Sequence, residues 1–129
     1  EAHVVGEFDK HLFAGDLVTQ GFHSWLELGL LDEWLERLDT LEELEVEYVH
    51  TGRSGSGDHE LIGRQRAYLK TVLAVLKKHQ PRPGKNLSEA LASQIREEVA
   101  AKYPSYDYIK FVELGLEHAW KRLADSKKR

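Results

Sequence analysis

Seven histidines are the first place to look for chemistry in this chain, because imidazole serves both as a metal ligand and as a proton acceptor near neutral pH. Glu47-x-x-His50 is a Glu-x-x-His step that puts both side chains on one face wherever the segment is helical. A carboxylate-bridged di-metal bundle needs a second such motif and two further glutamates, and the sequence holds no second motif. Glu7 and His11 stand four apart, His118 follows Glu117, and there is no His-Glu-x-x-His. The expectation is no metal and no cofactor, with histidines on polar helix faces. A His/carboxylate metal-binding protein or enzyme around Glu47 and His50 is one alternative. Cys is absent altogether, which removes disulfides, thiolate zinc sites, iron–sulfur clusters and cysteine nucleophiles together.

Serine chemistry has no sequence support. Gly52-Arg53-Ser54-Gly55 has the wrong spacing for a Gly-x-Ser-x-Gly elbow, and Gly55-Ser56-Gly57 is too short. The same glycine-rich run lacks the Gly-Lys-Ser/Thr ending of a phosphate loop, and Asp58 at its end would repel an anion. A catalytic role is therefore not expected. Anion binding has a better basis. Arg64, Arg66 and Lys70 fall on one side of a helix, with Lys77, Lys78, Arg82 and Lys85 around its end. Tyr103, Tyr106 and Tyr108 have rings suited to stacking on bases. Nucleic-acid or phosphate binding through residues 64–85 is the second alternative, although no recognition motif accompanies it and the sequence pI is about 6.0.

The elements that must position these groups read as helices. Residues 9–20 open on Asp9 as an N-cap, with Phe8, Leu12 and Leu17 near one side. Phe22, Trp25, Leu26, Leu30, Trp34, Leu35 and Leu38 recur at three- and four-residue steps, an amphipathic helix over 22–38. Thr40-Leu41-Glu42-Glu43 fits a capping box opening a further helix, although Leu44 to Tyr48 also alternates with the period of a strand. Thr51 to Gly57 reads as a Gly/Ser-rich linker. Asp58 caps a helix to about His79, with Leu61, Tyr68, Leu69, Val72, Leu73 and Leu76 as its apolar stripe. Asn86 with Glu89 suggests the next cap, Pro104 a break, and Ser105 the cap of a last helix. On that helix Ile109, Val112, Leu116, Ala119 and Leu123 step by three and four. An aromatic residue followed by Glu-Leu-Gly-Leu and then Trp occurs twice, at Trp25–Trp34 and at Phe111–Trp120. The sequence thus predicts an all-α fold, one antiparallel bundle of four or five helices over 1–129. The alternative is α+β, with short strands near 2–6, 44–50 and 106–112.

Charge and composition supply the functional expectation. Residues 1–50 carry thirteen acidic residues against Lys10 and Arg37, a net −11, and residues 51–129 carry +7. Such a split suggests a charged partner. No run of eighteen apolar residues exists, so no membrane span is expected. The opening Glu1-Ala2-His3-Val4-Val5 has neither basic nor long apolar character, and a soluble, cytoplasmic protein is the expectation. Leu28 and Leu31 lie off the main stripe of the 22–38 helix, giving it a second apolar face. The expected function is a non-catalytic, helical protein-interaction domain. Its partner is a protein or a second copy of itself, bound through Trp25, Leu28, Leu31 and Trp34.

Overall fold

The computed structural model describes residues 6–15, 17–18, 20–21, 31–52, 55–107 and 109–126. The order of elements is β1 (Gly6–Phe8), β2 (His11–Gly15), α1 (Leu31–Glu42), β3 (Tyr48–Thr51), β4 (Ser56–Gly57), α2 (Glu60–Lys78), α3 (Glu89–Lys102) and α4 (Lys110–Ser126). The all-α expectation is corrected here: a mixed sheet in the order β1-β2-β3-β4 accompanies the helices, as in the α+β alternative. Contacts divide the chain into two compact units. One comprises Glu1–Gly21 with Asp32–Leu69, the other Phe22–Leu31 with Lys70–Arg129.

The expected helix over 9–20 fails at its first two residues. Asp9 and Lys10 both have positive φ, 46° and 67°, the backbone that a two-residue hairpin turn requires. The chain reverses there, and β1 pairs antiparallel with β2, Glu7 opposite Leu12. β2 then runs parallel to β3, with His11 opposite Tyr48 and Phe13 opposite His50. Parallel neighbours need a crossover, and α1 lies within it. The register slips between Phe13 and Gly15, a bulge that Gly15 permits with its φ of 56°. Leu12, Ala14 and Val49 are buried, so one face of these strands is core and the other is not.

The capping box at Thr40 is not a helix start. α1 runs through it to Glu42, and the Thr40 hydroxyl instead donates back to the carbonyl of Glu36 at 3.3 Å. The alternation from Leu44 wins over the helical steps from Tyr48 onward, where β3 begins. Within the Gly/Ser segment Thr51 ends β3 and Ser56–Gly57 form β4, and the Thr51 amide and hydroxyl both donate to the Gly55 carbonyl. The strand suggested at 106–112 is absent from Lys110 onward because α4 has begun. Residues 2–5 and most of the 22–38 helix lie outside the described residues, apart from its last part, which is in α1.

The remaining helices follow their sequence signals closely. The Asp58 carboxylate accepts from the Glu60 amide at 3.0 Å and sets the start of α2. Leu61, Ile62, Tyr68, Leu69, Val72, Val75 and Leu76 are its buried stripe. Ser88, two residues beyond the expected Asn86, caps α3 by accepting from the Leu91 amide at 3.1 Å. α3 stops at Lys102, just before Pro104, whose ring disfavours helix in the residue before it. On α4 the buried set is Val112, Leu116, Ala119, Trp120 and Ala124, while Leu123, and Ile109 just before the helix, are only half-buried. Among the described residues, no helix is long and apolar enough to cross a membrane.

Candidate functional site

The uncovered face of β2 and β3 is where the described chemistry gathers. Strand alternation sends Leu12, Ala14 and Val49 inward, and so sends His11, Phe13, Tyr48 and His50 the other way. Parallel pairing then brings the four rings into one row. Tyr48 lies 4.7 Å from His11 between ring centroids, His11 5.1 Å from His50, and His50 4.8 Å from Phe13. Their planes stay within 21°, 5° and 17° of parallel. Phe13 is 49% exposed and Tyr48 50%, unusual for large rings within strands whose neighbours are fully buried.

A chain of hydrogen bonds crosses the same face. The Nδ1 of His11 is 2.8 Å from the Nε2 of His50, and the Nδ1 of His50 is 2.6 Å from the Ser56 hydroxyl on β4. At the rim, the Lys10 ammonium pairs with Glu47 at 3.3 Å, and the Lys10 carbonyl accepts from the amides of both Glu47 and Tyr48. These bonds tie the β1–β2 turn to the entry of β3 and fix the row of rings.

The sequence-predicted site residues that the structure describes lie on α1 and α2 and not in this row. Trp25 and Leu28 lie outside the described residues. Leu31 is buried at 3% exposure, and Trp34 is half-buried with its indole N–H donating to the Leu17 carbonyl at 2.9 Å. Of the anion-binding set, Arg66 is held by Asp39 and Glu42, Arg64 by Glu60 at 3.2 Å, and Lys78 by Glu98 at 3.1 Å. Lys70 and Lys77 are exposed on α2. The basic set therefore carries its own carboxylate partners at three of five positions. The Glu47/His50 step loses its meaning because His50 is on a strand, with Glu47 turned to Lys10 and His50 to His11. Among the described residues, no group of three or more His, Asp or Glu side chains is placed to hold a metal ion.

One carboxylate is electrostatically distinct. Glu98 on α3 is partly buried, which opposes its charged form, but the hydrogen bonds and attraction of His79 and Lys78 outweigh that cost and hold its pKa below the ordinary value. It is a structural tie between α3 and the end of α2, away from the row of rings in sequence.

His11, Phe13, Tyr48 and Ser56 were not legible as a site. The available signal was the pattern His-Leu-Phe-Ala beside Tyr-Val-His, two short alternations of ring and small or aliphatic residue. No protein-family model matches the chain, and no curated protein sequence is similar to it.

Proposed function

We propose that this chain is a protein-interaction module that receives a basic partner segment on the ring-covered face of β2 and β3. The observation that carries the reading is the pair of half-exposed rings, Phe13 and Tyr48, held in a fixed row by His11 and His50. Rigid aromatic side chains make good anchors because little rotamer freedom is lost when a partner covers them. The charge around them selects the partner. The unit that bears the face carries fourteen acidic and five basic residues, a net −9, and Asp9, Glu45 and Glu47 are exposed beside its strands. A polyanion is repelled by such a surface, whereas Lys and Arg side chains are attracted and can also lie over the rings.

The test uses two fluorescent octapeptides, one alternating Lys or Arg with Val and one alternating Glu with Val, beside an oligothymidine of similar length. The basic peptide is expected to bind, with an association rate that falls as salt rises. Phe13→Ser with Tyr48→Ser should abolish that binding without shifting the denaturation midpoint by more than a small amount. Equal binding of the acidic peptide or the oligonucleotide, or binding indifferent to the double substitution, would sink the reading. Light scattering on the free chain separates the remaining outcome: a concentration-dependent dimer lost in the same double variant would make a second copy the occupant.

A further inference from the structure

The hydrogen-bond chain on this face does more than hold rings in place. Ser56 is exposed, its hydroxyl is 2.6 Å from the Nδ1 of His50, and the other nitrogen of His50 is 2.8 Å from the Nδ1 of His11. A hydroxyl in contact with an imidazole, itself oriented by a third group, is the arrangement that turns a weak alcohol into a nucleophile. We propose that Ser56 is a nucleophilic site that accepts an acyl group from an activated aryl ester, with His50 as its base and His11 as the residue that positions His50. This does not rest on the partner reading: the reacting groups are Ser56 and His50, and the ring of Phe13 enters only as the source of the aryl preference.

The proton inventory is consistent along the chain. With His50 neutral and protonated on Nε2, that N–H donates to the Nδ1 of His11, and the Nδ1 of His50 is left free to accept from the Ser56 hydroxyl. As the Ser56 oxygen forms its bond to the ester carbonyl carbon, its proton passes to the Nδ1 of His50. The carbon–oxygen bond to the aryl group then breaks, and His50 returns that proton to the departing phenolate. The products are O-acyl-Ser56 and a phenol, with no oxidant or metal required. The aryl preference follows from Phe13, whose half-exposed ring lies 4.8 Å from that of His50 and offers a surface for a second ring.

The probe is 4-nitrophenyl acetate, with nitrophenol release followed by absorbance and the acetylated residue mapped by peptide mass spectrometry. Ser88 is the internal control, an exposed serine whose hydroxyl oxygen caps α3. General-base assistance should acetylate Ser56 on the order of 100-fold faster than Ser88. Ser56→Ala should abolish the fast phase, and His50→Gln should bring Ser56 down to the Ser88 rate. His11→Asn should retain most of the rate, because its side-chain oxygen still accepts from His50, whereas His11→Phe should lose it. Far-UV circular dichroism on each variant shows that the fold is kept, and Ser56→Ala leaves the backbone pairing of β4 available. Acetylation of Ser56 no faster than Ser88, a fast phase that survives Ser56→Ala, or one indifferent to His50→Gln would each overturn the proposal.

Discussion

Trp120 in the helical unit and the pair Phe13 and Tyr48 in the sheet-bearing unit are treated in opposite ways. In the helical unit, Trp120 on α4 is only 3% exposed, its indole N–H donates to the Lys85 carbonyl at 2.8 Å, and the Lys85 ammonium lies 5.6 Å from the ring centroid. The loop after α2 is thus laid over the ring, and the Lys85 ammonium is tied down in turn by the His79 carbonyl at 2.5 Å. In the sheet-bearing unit, Phe13 and Tyr48 stay half-exposed although the intervening residues of the same strands are fully buried. A chain able to cover a tryptophan so completely has left two rings bare elsewhere. The difference teaches that exposure at Phe13 and Tyr48 belongs to the surface chemistry of the sheet, and it supports the proposal of a partner on that face. The charges follow the same division, net −9 for the sheet-bearing unit and +5 for the helical one.

The sharpest way to break this contrast is to truncate one side chain of each kind. Leu116 is 1% exposed on the buried stripe of α4, and Leu116→Ala should cost about 2–5 kcal/mol, the sum of lost transfer energy and residual cavity. Phe13→Thr keeps a β-branched residue on the strand and should change stability by about 0.5 kcal/mol or less, as an exposed position does. Urea denaturation of the two variants reads both numbers. Comparable losses would show that Phe13 is part of the core and would remove the contrast.

Next in size is the tie between α1 and α2. Arg66 is mostly buried at 23% side-chain exposure and is shared by Asp39 and Glu42, of which Glu42 is itself largely covered. Arg66→Met keeps the aliphatic stem and leaves two carboxylates without their cation, so a loss of about 1–2 kcal/mol is expected. Adding Glu42→Gln to that variant should recover part of it. If Arg66→Met is neutral, the pair is merely a surface contact and residues 64–66 return to consideration as an anion site.

What the sequence revealed divides along the same line as the two units. The helices of 58–126 were legible because each carries its own period and its own stop. The stripe of α2 repeats at helical steps after Asp58, and Pro104 separates α3 from α4. Differences there are small and local, such as the cap of α3 at Ser88 and not at Asn86. The sheet was hidden for a different reason. Its strands are two to five residues long, too short to establish a period of two against neighbouring helical steps. Its turn is Asp9-Lys10, with no glycine to announce positive φ. The row of rings depends on β2 meeting β3 in parallel across a crossover, a pairing between residues thirty-seven apart that no local pattern encodes. The Ser56–His50–His11 chain was invisible for the same reason.

A smaller effect tests the helical unit through pH. The pKa of Glu98 is held below its ordinary value, so its pairing with His79 and Lys78 adds stability above the unfolded-state carboxylate range and loses it as pH falls through the folded-state value. Between about pH 6 and pH 3 the unmodified chain should therefore lose more stability than Glu98→Gln, by under about 1 kcal/mol because Lys78 is 67% exposed. Identical slopes of denaturation midpoint against pH would show that Glu98 is not a working tie.

The smallest expected effect tests the turn on which the sheet begins. Lys10 has a φ of 67°, a conformation that costs an L-residue about 1–2 kcal/mol and that glycine adopts freely. Lys10→Gly relieves that strain, but it also gives up the Lys10–Glu47 ion pair and adds freedom to the unfolded chain. Both partners of that pair are more than half exposed, which puts its worth at roughly 0–1 kcal/mol. The net result should be a stabilisation of about 0.5 kcal/mol, since the Lys10 carbonyl that accepts from Glu47 and Tyr48 is unchanged by the substitution. Repeating Lys10→Gly in a Glu47→Gln background removes the ion-pair loss, so the gain should then be larger. A loss of stability in both backgrounds would mean that the chain does not turn through positive φ at residue 10, and the register that aligns His11 with Tyr48 would have to be redrawn.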